Sequence, residues 1–64
     1  MCESSAYLIK GEKDDELILE DVVLMKPEGD KIVLTSILGE QKEVSADIDH
    51  IDLLHHKILL RQRG

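Results

Sequence analysis

The chain has 64 residues, 42% of them hydrophobic, and a formal net charge of −6. That length accommodates one domain, residues 1–64, and a single cysteine excludes an internal disulfide. A negative chain whose only aromatic residue is Tyr7 lacks both parts of a usual nucleic-acid site, the phosphate-neutralising face and the stacking platform.

In chain order, Ser5 to Lys10 is rich in strand formers and is closed by Gly11, after which the polar stretch to Asp15 reads as a loop. Glu16 to Glu20 is an apolar run too short for a helix. Asp21 to Lys26 then leads into Pro27-Glu-Gly-Asp30, a turn in which proline presets φ and glycine supplies a positive one. Lys31 to Leu38, full of β-branched residues, returns as the second arm of a hairpin and ends at Gly39. Gly39-Glu40 makes another turn, and Gln41 to Ser45 a further strand. Asp47 to Leu54 places Ile48, Ile51 and Leu54 three apart, as a helix would. Its apolar runs are short and abut a polar turn over Asp52 to Lys57, so two strands are preferred, the last being Lys57 to Arg61 paired with Ile51 to Leu54.

Turn signals at this spacing predict an all-β fold, a small barrel-like or sandwich domain of short antiparallel strands. Ile32 and Leu34 point one way and Val33 and Ile37 the other, while Leu17 and Leu19 oppose Ile18. Strands apolar on both faces need cover on both faces. Domains this small lean on a metal or a partner subunit, and a second copy of the chain, giving a homodimer, is the expected cover. No apolar run approaches the ~20 residues that span a bilayer, Glu3 precedes any candidate signal core, and a lone cysteine suits a reducing compartment. A cytoplasmic location with no membrane partner is therefore expected.

No phosphate-binding glycine loop, HExxH or nucleophile elbow occurs, so an enzyme is not expected. Cys2 is chemically distinctive by position. With Met1 retained, the Met1 amine, the Cys2 amide nitrogen and the thiolate close two five-membered chelate rings. With Met1 removed, amine and thiolate of Cys2 still close one. Nitrogen and thiolate in a plane suit nickel(II) or copper(II), and thiolate also favours zinc and copper(I). One chain offers too few ligands, whereas two Cys2 residues on a two-fold axis supply two sulfurs and two nitrogens. His50, His55 and His56 are natural ligands, but neighbours on a strand face opposite ways, so His55 and His56 are expected to form a solvated turn. Arg61 and Arg63 read as a solvated basic tail.

The opening Met1-Cys2, the segment Leu17 to Leu24, the Pro27-Glu-Gly-Asp30 turn and the run Ile32 to Leu38 resemble the CooT family. So does the closing pattern of His50 to Leu54 followed by Lys57 to Leu60. The resemblance spans Met1 to about Leu60 and implies a nickel-binding accessory protein of carbon monoxide dehydrogenase maturation. It also implies a β-rich homodimer that holds one nickel(II) per two chains through Cys2, with carbon monoxide dehydrogenase or its maturation factors as partner. The family has also carried an RNA-binding label, and a metal-independent interaction module that binds RNA is the alternative. The charge and the single aromatic argue against it.

Overall fold

A computed structural model describes residues 3–12 and 15–63. The described residues form six strands and no helix: β1 (Ser4–Ile9), β2 (Glu16–Glu28), β3 (Lys31–Ser36), β4 (Gln41–Val44), β5 (Ala46–Asp52) and β6 (Lys57–Gln62). They build one sheet in the order β4-β3-β2-β1-β6-β5. The fold is all-β as expected, with one departure from antiparallel pairing: β1 and β6 run parallel, Ser5 opposite Lys57 through Ile9 opposite Arg61. Parallel neighbours need a long connection, and here the four intervening strands provide it.

Ser45 alone joins β4 to β5, although these strands occupy opposite edges of the sheet. The sheet must therefore roll, which brings β3 into contact with β5, while the Arg63 N–H donates to the Ser45 carbonyl at 3.1 Å and extends the β5–β6 ladder by one step. The result is barrel-like rather than a two-sheet sandwich, with extents of 32 × 26 × 15 Å. Inside it lie Ala6 and Leu8 of β1, Leu19 and Val22 of β2, Ile32 and Leu34 of β3, Ala46 of β5, and Ile58 and Leu60 of β6. Period-two burial is clearest in β3, where Ile32, Leu34 and Ser36 are buried and their neighbours are not. Leu59 alternates to the outer face and is covered there, opposite Tyr7 on β1 and His50 on β5. The Lys57 ammonium stands 5.5 Å above the Tyr7 ring on that same face.

The two segments read separately as Glu16 to Glu20 and Asp21 to Lys26 are one strand bent in the middle. Its first half pairs with β1 and its second with β3. The bend falls at Asp21, whose φ of 56° is one that aspartate tolerates better than most residues, and its carbonyl accepts the Ile37 N–H at 2.9 Å. Pro27, expected in the turn, lies in β2 opposite Ile32. There β2 has only β3 as neighbour, so the missing N–H breaks no ladder. The loop itself is Gly29-Asp30, and Gly29 at φ 63° supplies the positive angle of the first central position.

β3 stops at Ser36, two residues short of the expected end. The Ser36 hydroxyl accepts the N–H groups of Leu38 at 3.3 Å and Glu40 at 3.2 Å, which turns the chain and leaves Leu38 91% exposed. At Asp47 to Leu54 the strand reading was correct, but β5 ends at Asp52, and its partners on β6 run from Gln62 back to Lys57. Leu53 and Leu54 belong to the connecting loop.

Candidate metal-binding end of the barrel

Cys2 lies outside the described residues. Glu3, which follows it, leads directly into β1. Ser4 pairs with Val22, and Ser5 donates its N–H to the His56 carbonyl at 2.9 Å. These contacts bring three segments to one end of the barrel: the start of β1, the second half of β2 and the β5–β6 loop.

The surface at this end is apolar. Val23, Leu24, Ile51, Leu53 and Leu54 are all exposed there, the two loop leucines at 81% each. Ile51 lies opposite Ile58 on β6, so it faces the core side but stands at an open margin of the sheet. A depression of about 410 Å³ opens between the start of β1, the second half of β2 and β6, lined by Glu3, Ser4, Val22, Val23, Leu24, Met25 and Ile58. Glu3 is the one ionisable residue in that lining. Its carboxylate oxygen Oε2 is shut off from solvent and accepts no hydrogen bond among the described residues.

The histidines occupy separate places. Asp49 falls at a register irregularity between Ile48 and His50, where an extra residue lets consecutive side chains share a side. His50 Nδ1 lies 2.7 Å from Asp49 Oδ2, and Arg61 forks onto Asp49 Oδ1 through Nε at 3.0 Å and Nη2 at 2.8 Å. The His50 hydrogen bond, then Arg61, holds Asp49 below its usual carboxylate range. In the β5–β6 loop, Asp52 accepts the backbone N–H of His55 at 3.1 Å and contacts its Nδ1 at 2.8 Å, which lowers the Asp52 pKa. His55 and His56 are exposed in that turn, as expected, and His56 adopts a left-handed φ of 56°. Among the described residues, no three histidine, cysteine or acidic side chains gather where they could hold an ion.

Arg61 and Arg63 are not a free basic tail. Arg61 belongs to β6, and Arg63 donates to Asp47 at 2.9 Å. The antiparallel β5–β6 register sets these arginines beside the acidic residues of β5, a pairing that residue order alone does not reveal. The unpartnered Glu3 oxygen also escapes sequence reasoning, since a glutamate near a chain start carries no sign of burial.

No helix among the described residues is long and apolar enough to cross a membrane. Comparison with known proteins gives concordant matches. The family described as CO dehydrogenase accessory protein CooT matches residues 1–61. An uncharacterized protein of Methanocaldococcus jannaschii is 33% identical over 60 residues, covering 94% of this chain and 96% of its own length. An uncharacterized protein of Archaeoglobus fulgidus is 43% identical over 42 residues, 66% of this chain and 93% of its own length. A crystal structure assigned to CooT from Carboxydothermus hydrogenoformans superimposes with a TM-score of 0.89 at 36% identity, covering 98% of this chain and all of that one.

Proposed function

The chain belongs to the CooT family of CO dehydrogenase accessory proteins, and on that premise we propose that it is a nickel(II)-binding accessory protein. In this reading it serves the dehydrogenase as a metallochaperone and performs no reaction of its own. Two chains associate and hold one ion between them through the thiolate of Cys2 from each.

The observation that carries the reading is the character of the barrel end at which Glu3, the residue after Cys2 in sequence, enters β1. Glu3 and Ser4 enter β1 beside an exposed apolar surface of Val23, Leu24, Leu53 and Leu54, the kind of surface that marks an interface. An isologous two-fold contact there would bring the same residue of both chains close to the axis. Beside that surface the half-buried Glu3 has a carboxylate oxygen that accepts no hydrogen bond among the described residues. A thiolate with adjacent backbone nitrogen is a donor set that nickel(II) accepts. Zinc and copper share the preference for thiolate and are the competing ions.

A nickel titration of the untagged protein, followed by absorption and set against Cys2→Ala, tests the proposal. Thiolate-to-nickel charge-transfer bands should saturate at one ion per two chains and vanish in the variant. Equal nickel binding by Cys2→Ala would remove the proposed site, and bands saturating at one ion per chain would remove the shared one.

A further inference from the structure

A second surface, sharing no lining residue with the depression beside Glu3, lies where the first half of β2 meets the turn after β3. Leu17, Ile37 and Leu38 are exposed there, Leu38 almost wholly. Leu17 and Leu38 line a depression of about 330 Å³, whose ionisable residues are Glu20, Asp21, Glu40 and Lys42. The turn that presents Leu38 is held from within. Ser36 N–H donates to the Glu40 carbonyl at 2.8 Å, Gly39 N–H donates to the Ser36 carbonyl at 2.9 Å, and the Ser36 hydroxyl accepts two further N–H groups. Ile37 N–H ties the turn to the Asp21 carbonyl on β2. An apolar side chain on so well bonded a turn meets a partner with little further ordering of the chain.

The charge around Leu38 selects the occupant. None of the ion pairs among the described residues involves Glu20, Asp21 or Glu40, and Lys42 is the one basic residue in the lining. A second copy docked here about a two-fold axis would set the same carboxylates against each other, and nucleic acid or an anionic membrane would be repelled as well. A cationic protein surface is attracted. We infer that this turn docks the chain onto the CO dehydrogenase it serves, at a place on that enzyme where an apolar pocket is bordered by lysines and arginines. The inference rests on the accessory-protein reading and names the surface by which the client is met. Leu38 enters the pocket and supplies apolar contact, while the three carboxylates steer the approach and fix its register. Because the two depressions share no residue, the client can be met here while a second copy covers the other surface.

The test measures binding of the untagged chain to nickel-free CO dehydrogenase, purified from the same organism, by biolayer interferometry at several salt concentrations. Leu38→Ser should weaken binding by about tenfold, the size expected when a central interface side chain is truncated. Glu20→Gln with Glu40→Gln should slow association at low salt and flatten its salt dependence. Glu28→Gln with Asp30→Asn removes equal charge at the β2–β3 turn and should leave both near wild type. Circular dichroism checks that the sheet persists in each variant, and sedimentation velocity reads its self-association. Nickel charge-transfer bands are followed in parallel and should not differ among these variants, since all retain Cys2. Wild-type affinity in both Leu38→Ser and the Glu20, Glu40 double variant would overturn this surface while leaving the accessory reading intact. Nickel binding by wild type without any complex with the dehydrogenase would overturn the docking while the metal site stood. Reduced self-association in Leu38→Ser would make a second copy the occupant and overturn the inference too. Absence of both nickel binding and the complex in wild type would overturn both readings together.

Discussion

Replacing Leu34 by alanine tests the fold at its centre. Leu34 lies in the middle of β3, is 0% exposed, and sits opposite Met25 on β2 and Lys42 on β4. Leucine-to-alanine changes at such sites cost about 3 to 5 kcal/mol, through lost transfer energy plus the cavity left behind. A 64-residue chain has roughly 3 to 10 kcal/mol of stability in total, from about 0.05 to 0.15 kcal/mol per residue. The variant should therefore lose a third or more of its stability. For a domain this small, a loss of about 3 kcal/mol lowers Tm by roughly 12 to 24 °C. The control is Leu38→Ala, in the turn just beyond β3, where a side chain 91% exposed should cost close to nothing. Thermal melts by far-ultraviolet circular dichroism at one fixed protein concentration read both, since association would make Tm concentration-dependent. If the two variants melted within a few degrees of each other, the burial pattern of β3 would be wrong, and with it the rolled sheet.

Gly29→Ala should destabilise the protein by about 1 kcal/mol, because an added Cβ meets open space but the φ of 63° strains any L side chain, and urea unfolding would measure it. The lowered pKa values of Asp49 and Asp52 make a signed prediction. A depressed carboxylate stabilises the fold above its unfolded pKa of about 3.9, and that contribution is lost as pH falls through the lower folded value. Wild type should thus lose stability in acid more steeply than the Asp49→Asn, Asp52→Asn double variant, and equal slopes in melts from pH 5 to pH 2.5 would contradict the assignment. Leu53→Asp with Leu54→Asp should leave the monomer folded, since both side chains are 81% exposed, yet abolish two-chain association in sedimentation velocity. An unchanged dimer mass would place the interface elsewhere, and a wild-type monomer would remove it. Saturating nickel(II) should raise Tm in wild type and not in Cys2→Ala, to a degree set by its concentration relative to Kd.

The strands were legible where local chemistry is strong. The β2–β3 hairpin follows from β-branched runs around a glycine turn, and the choice of strands over a helix at Asp47 to Leu54 followed from run length. Pro27 misled because proline favours turns, yet a strand tolerates it wherever one flank is unpaired. Ser36 ended β3 early through side-chain hydrogen bonds that β-propensity does not anticipate. The parallel β1–β6 pair joins Ser5 to Lys57, a separation of 57 − 5 = 52 residues, and no local pattern encodes it. The pairs of Arg61 with Asp49 and Arg63 with Asp47 depend instead on the β5–β6 register and its irregularity between Ile48 and His50. At the candidate site, the sequence pointed to Cys2 and to the family, while the sequestered Glu3 oxygen and the apolar surroundings emerged only from the folded sheet.

The placement of β1 between β2 and β6 has a consequence for synthesis. On the ribosome β1 emerges first and can pair with β2 soon afterwards, but its other edge stays bare until β6, the last strand made, has cleared the exit tunnel. Ser4–Ile9 therefore spends most of translation as an open template for another chain. A polysome, with many nascent chains on one message, would place such edges side by side, and the gatekeeping charges nearest to hand are Glu3 and Lys10 at the strand's two ends. Those two charges thus guard the strand until its second neighbour is in place.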